Sequence, residues 1–299
     1  MRKTLAAICN QLAEATSDET GFVSIRELSR QSGVRLEFRP LLVEGMLVRK
    51  GSAEDGEWLA LIDDEGVPLA ADLLQKECVG STLPARLRFT ASHEIVHSLA
   101  LRASEFGFVM PDGSDPSRAP ENLIEKEVDM CTPLCLMPQR HLYRVISSWK
   151  TTSLVEELSS LRKRWGVSRA VIVSRLAAIR HFAPLDLHEK PALRDIAVGI
   201  ISVEGSTASL REWPIFQNFH QAVPFFLSLQ QRKVRDSVRL HFCDKRFVLN
   251  GGSSLSTDAF VSAGTTANPE AESLHVSLEV EPKSSVNQSE FLFTTRIFG

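Results

Sequence analysis

Apolar residues recur at helical spacing from the start of the chain. Leu5, Ile8 and Leu12 predict a helix over about 2–16. A second helix is expected from Ser24 to Gln31, because Ser24 and Glu27 form a capping box and Gly33 supplies a stop. Between 34 and 62 the period changes to two. Val34–Phe38, Met46–Arg49 and Trp58–Ile62 read as strands, with Ala53–Gly56 as a turn. A more uniformly apolar stretch over about 83–102 predicts a buried helix that Thr90 or Ser92 can cap. The tract Phe106–Pro120, rich in Gly, Pro, Ser and Asp, predicts a surface loop that overhangs a cleft. Residues 121–136 are again helix-compatible, although Pro133 should kink or end that helix.

Beyond Pro138 the pattern changes twice. Leu154–Arg164 and Ser168–Phe182 carry apolar residues at helical spacing around Trp165-Gly166-Val167, with Ser168 as a cap, which is a helix–turn–helix pattern. From 191 onward the apolar runs are short and strand-like: Ile196–Val203, Val238–Phe242, Arg246–Leu249, Leu274–Val280 and Phe291–Ile297. Loops are expected at Gly251-Gly252 and at Ala263–Pro269. The class is therefore α+β, in three units: 1–138, 139–190 and a small α/β or mostly-β unit over 191–299. Charge follows the same division. The three segments balance at −8, +6 and −1. The basic middle, with Arg162, Lys163, Arg164, Arg169, Arg175 and Arg180, has the composition of a phosphate-contacting module, so DNA contact through 154–182 is one expectation. Packing against the first unit is the other.

The 299 residues, 43% hydrophobic, suffice for more than one domain. No charged start followed by an apolar run suggests a signal peptide, and no apolar run approaches the ~20 residues of a membrane span. Five scattered cysteines (Cys9, Cys78, Cys131, Cys135, Cys243) suit reduced, packed thiols rather than a disulfide framework. A cytoplasmic location without membrane contact is expected.

The buried helix carries the candidate chemistry. Residues 93–97 read His-Glu-Ile-Val-His. Residues four apart share one helical face, so His93 and His97 can reach a single metal ion. Glu94, one residue on, can reach a water on that metal, whose pKa falls toward ~7, and remove its proton. This is the arrangement of a peptide-hydrolysing zinc site, which normally has three protein ligands and one open position. The third ligand should be a His, Glu or Asp on another buried element. Glu121, Glu125, Glu127 and Asp129 lie in the apolar stretch 121–138, where a buried carboxylate needs a cation or a proton. Glu121, Glu125 and Asp129 share a stripe, and Glu127 lies nearly opposite Glu125.

Two blocks together carry a resemblance. Arg88-Phe89-Thr90-Ala91-Ser92-His93-Glu94-Ile95-Val96-His97 resembles the Arg-Phe-Thr-x-Ala-His-Glu-x-Gly-His signature of the ImmA/IrrE metallopeptidases, and Glu125…Asp129…Leu136-Met137-Pro138 resembles that family's second block. Val167-Ser168…Arg175-Leu176 is similar to a further family pattern. The resemblance implies a zincin-like domain, then a helix–turn–helix-like bundle, then a GAF-like sensor domain over 191–299. It implies Zn²⁺, with Mn²⁺ compatible, on His93, His97 and Glu125, and it places Asp129 behind a ligand histidine. It also implies a function: endopeptidase cleavage of a helix–turn–helix repressor that switches on stress-response or mobile-element genes. The alternative is a sensor or DNA-binding regulator in which the metal is structural. The usual layout sets a β-meander beside the metal helix with a substrate along its edge strand, for which Glu57–Ile62 is the expectation. Departures are Ser92, Val96, Cys131, Cys135 and Pro133. His141, Tyr143, His220, His241 and His275 have no ligand spacing and read as packed or surface residues, although His141 and Tyr143 are within sequence reach of an oxyanion role.

Overall fold

The computed structural model describes residues 4–51, 56–64, 67, 70–79, 82–102, 105, 109–110, 113, 115, 119–148, 154–182, 196–204, 207–212, 238–242, 255–263, 274–280 and 290–296. The expected loop Phe106–Pro120 and strand Arg246–Leu249 lie largely or wholly outside the described residues. By its internal contacts the chain forms two compact units, one of 1–148 with 161–178 and one of 149–160 with 179–299. The boundary expected after Pro138 thus falls inside the first unit.

The first unit opens with α1 (Leu5–Thr16) and α2 (Ile25–Ser32). Ser24 accepts a hydrogen bond from the Glu27 amide, and Gly33, at φ 66°, ends α2 by donating to the Arg30 and Ser29 carbonyls. Only a residue at ease in the left-handed region closes a helix this way. The Glu27 carboxylate does not return to complete the capping box. It accepts from Arg30 and Gln31 instead, and Glu77 takes over the cap, its carboxylate accepting from the Ile25 amide at 2.6 Å and from the Ser24 hydroxyl at 3.2 Å.

Three strands follow: β1 (Val34–Arg39), β2 (Gly45–Lys50) and β3 (Glu57–Asp63). Their order is β1-β3-β2, with β3 parallel to β1 and antiparallel to β2. The expectation that Glu57–Ile62 is the edge is therefore corrected: it is the central strand. Its Ala60, Leu61 and Ile62 are buried, as suits a strand paired on both sides. The edge strands are β1 and β2.

The short α3 (Ala70–Gln75) leads to α4 (Ala85–Leu101), which packs against α1, α2, all three strands and α5 (Glu121–Leu136). The helix starts after Pro84, so Thr90 and Ser92 are not caps but buried mid-helix residues. Nearly every face of α4 is apolar or buried, as befits a central helix. Its half-exposed stripe is Phe89, His93 and His97, each four residues after the last. Pro133 sits within α5, which runs only three residues further. Cys9 of α1 meets Cys131 and Cys135 of α5 in the core, and burial pushes its thiol well above the ordinary range.

After α6 (Gln139–Ser148) come α7 (Leu154–Trp165) and α8 (Arg169–Phe182), with Ser168 capping the latter through the Val171 amide. Trp165 is buried and donates its indole N–H to the Thr20 carbonyl. Arg175 is also fully buried, donating to the Met137 carbonyl and to Asn10. Its expected place among phosphate-contacting residues is thereby overturned: its charge is spent inside the first unit. Val171, Ile172 and Val173 beside it are buried as well, while Lys163 and Arg164 are exposed. The side chain of Arg180 lies outside the described residues.

The described part of the second unit beyond 196 is all strand: β4 (Ile196–Glu204), β5 (Thr207–Glu212), β6 (Val238–Phe242), β7 (Leu255–Ala263), β8 (Leu274–Val280) and β9 (Glu290–Arg296). Every pairing is antiparallel, the order follows the sequence, and β4 pairs with β9 to close a barrel. Helices that an α/β, GAF-like arrangement would add are not among the described residues here.

Candidate metal centre

Helical geometry alone brings His93 and His97 together on α4. Their rings lie edge to face with centroids 4.6 Å apart and Nε2 atoms 3.0 Å apart. The third group comes from α5, packed alongside. Glu125 points one carboxylate oxygen at each ring: Oε1 is 3.1 Å from His93 Nε2, and Oε2 is 3.0 Å from His97 Nε2. Among the described residues, this is the one group of three side chains whose ligand atoms all lie within 4.8 Å of one another.

The donor set fits a divalent cation. Ligands at about 2.0–2.1 Å around a tetrahedral zinc stand roughly 3.3 Å from each other. The separations of 3.0–3.1 Å are close to that edge. The two Nε2 atoms, 3.0 Å apart, cannot both carry a proton to Glu125 without crowding, and a cation at the centre satisfies both nitrogens and the carboxylate. Burial, then the neighbouring His93, pushes the His97 pKa below the ordinary value against the pull of Glu125. The neutral imidazole that a metal requires is thereby favoured near neutral pH.

Asp129, one turn beyond Glu125, stands behind His93, its Oδ1 3.4 Å from His93 Nδ1. That nitrogen is buried and forms no hydrogen bond. The separation is an ion-pair distance, and a small turn of either side chain would make the N–H···O bond that fixes a ligand histidine's tautomer. Glu127 takes no part. It is buried on the other side of α5, with Cys131 Sγ 3.8 Å from its carboxylate, and burial raises its pKa. Glu121 is exposed and is not in the ligand group.

Glu94 is only 7% exposed and lies on the flank of α4 that faces β2. Burial, and secondly the charge of Glu125, push its carboxyl up to about 7. A carboxyl held next to His93 on the helix is within reach of a proton-transfer role.

Two supports draw on residues, Glu77 and Gly45, that carried no sequence signal of their own. Glu77 and Arg88 form a fully buried ion pair behind α4. Arg88 also donates to Thr82 and to the Val23 carbonyl, and stacks over the Phe22 ring. The Arg88 of the motif is thus a brace that ties the metal helix to α2. Gly45, at the start of β2, lies directly against Glu94. His141 packs against Gly21, and the side chain of Tyr143 lies outside the described residues. His220 is outside them too, as are the side chains of His241 and His275.

Among the described residues no helix is long and apolar enough to cross a membrane. No protein-family model matches the chain, and no curated protein matches it.

Proposed function

We propose that the chain is a metal-dependent endopeptidase, with Zn²⁺, or alternatively Mn²⁺, held by His93, His97 and Glu125. The observation that carries this reading is the convergence of both Nε2 atoms and both Glu125 oxygens at 3.0–3.1 Å, with Glu94 next to His93 on α4. When bound, the metal supplies Lewis acidity toward a water molecule and toward the scissile carbonyl. The chain's own residues do the rest. Glu94 takes the proton from the water on a carboxylate oxygen and passes it to the departing amine nitrogen. Asp129, 3.4 Å from His93 Nδ1, would hold that ring once a small side-chain turn makes the bond. The edge of β2, unpaired among the described residues, passes beside Glu94 and can align an extended peptide through backbone hydrogen bonds, which grip any sequence. A helix–turn–helix repressor as substrate, cut to switch on stress-response or mobile-element genes, is what the motif resemblance contributes to the proposal.

The competing reading, a DNA-binding or sensing regulator with a structural metal, draws on 154–182, and the burial of Arg175 and Val171–Val173 weighs against it. Glu94→Gln separates the two. An endopeptidase keeps its metal and loses cleavage by about 10²–10⁴-fold. The assay is co-expression with candidate repressors, scored for fragments, beside metal analysis of the purified proteins and of His93→Ala. Undiminished cleavage by Glu94→Gln would sink the proposal.

A further inference from the structure

We infer that Gly45 is a positioning residue for Glu94: the missing side chain at the head of β2 sets where the carboxylate sits. The inference rests on the reading of Glu94 as the proton carrier. Thr90 and Glu94, one helical turn apart on α4, form a notch, and the backbone of Gly45 fills it. A Cβ at residue 45 would stand 2.7 Å from Thr90 Cγ2, 2.8 Å from Glu94 Oε1 and 3.2 Å from Glu94 Cγ. Separations under 3.0 Å are not tolerated, so something would have to move. Conformation is not what calls for glycine here, since the φ of Gly45 lies outside the left-handed range that marks Gly21, Gly33, Gly51, Gly113 and Gly166. Space is. Pairing with Ile62 of the central strand fixes Gly45 in turn, so the notch is filled by a rigid element.

The consequence for Glu94 follows from what else holds it. Burial and the charge of Glu125 act on its carboxyl, and no hydrogen bond among the described residues does. Its position is therefore set by packing against Gly45 and Thr90. An added methyl meets the far end of a flexible side chain on one flank, so the cheapest response is for the Glu94 carboxylate to swing away. The three atoms nearest the added methyl belong to Thr90 and Glu94, not to His93, His97 or Glu125. The fold and the metal should survive a substitution that moves the base.

The test uses the full chain carrying Gly45→Ala, and Gly45→Ala with Thr90→Ser, which relieves the threonine methyl and keeps the test open if the single variant folds poorly. Three readouts are taken. Crystal structures of the metal-free variants should show the Glu94 carboxylate displaced, with His93, His97 and Glu125 in place. Zn²⁺ affinity by chelator competition should stay within about threefold of the wild type. On a quenched fluorescent peptide selected from a random library by the wild-type enzyme, kcat should fall by at least about tenfold, the scale of a sub-ångström to ångström misplacement, with KM little changed. Adding Glu94→Asp, which withdraws the carboxylate by one methylene, should cost less in the Gly45→Ala background than in the wild type. An unmoved carboxylate, or a fall in turnover matched by a fall in Zn²⁺ affinity, overturns the assignment. A wild type that cleaves neither a library peptide nor a co-expressed repressor, with Glu94→Gln indistinguishable from it, overturns the endopeptidase reading instead, and the structures still decide the role of Gly45.

Discussion

At the scale of single residues, the groups around the site differ in how their charge is met. The Glu94 carboxyl is pushed up to about 7 by burial and then by Glu125, above the ~4.3 of an unfolded chain. A carboxyl raised on folding favours the folded state while protonated, and that contribution is lost as pH rises from about 4.3 through 7. In metal-free protein, thermal melts of Glu94→Gln should match the wild type near pH 4.3 and lie several degrees higher at pH 8. A wild type equally stable at pH 8 would contradict the assigned burial. Glu77 is the opposite case, its charge fully met by Arg88 and by the amide that begins α2. Glu77→Ala leaves Arg88 buried without a counter-charge, and should cost about 3–5 kcal/mol, read as a lowered denaturant midpoint. His93, Glu94 and His97 were legible because the code for one helical turn is local. Glu77 and Gly45 were not, because Glu77 caps a helix 52 residues before it and Gly45 meets Glu94 far along the chain, and neither residue type announces that partner.

At the scale of elements, α4 shows why the motif could be read and its surroundings could not. Its buried faces follow from the nearly continuous apolar run, and the half-exposed stripe Phe89–His93–His97 emerges only once β2, β3, α2 and α5 are laid against it. Strand identities were legible from alternation, whereas strand order was not. Alternation fixes which residues share a face and says nothing of which strand ends up in the middle, so Glu57–Ile62 was expected at the edge and β2 holds that place. The same limit applies to α7 and α8. Their helical period and the Ser168 cap were plain, but a basic composition does not reveal that Arg175 points inward at the Met137 carbonyl and Asn10. Arg175→Ala should therefore act on stability, costing about 2–4 kcal/mol in chemical denaturation. It should leave any salt-sensitive affinity for duplex DNA, followed by fluorescence anisotropy, unchanged. A loss of DNA affinity without a loss of stability would return Arg175 to the surface role its sequence suggested.

At the scale of the whole molecule, the chain joins a helical and mixed-sheet unit to a closed antiparallel barrel. The division does not run at the composition change after Pro138. Charge and periodicity change there, yet α6 and residues 161–178 belong with the first unit, because buried Trp165 and Arg175 spend their polar groups on Thr20, Met137 and Asn10. Among the described residues, the groups that hold the candidate metal centre lie in that unit: the ligands His93, His97 and Glu125, the brace Arg88–Glu77, and the β2 edge at Gly45. None of these groups comes from 179–299. A chain ending at residue 182, which keeps 149–160 as the covalent link into 161–178, should therefore retain the metal. Zinc that binds only the folded state stabilises it by RT ln(1 + [Zn]/Kd), about 2.7 kcal/mol at a hundredfold excess over Kd. The truncated and full-length chains should bind one Zn²⁺ with equal affinity. Chelation should lower the melting temperature of each by several degrees and added Zn²⁺ should restore it, whereas His93→Ala should abolish the response in both. A truncated chain that folds and binds no zinc would mean that the barrel unit completes the site.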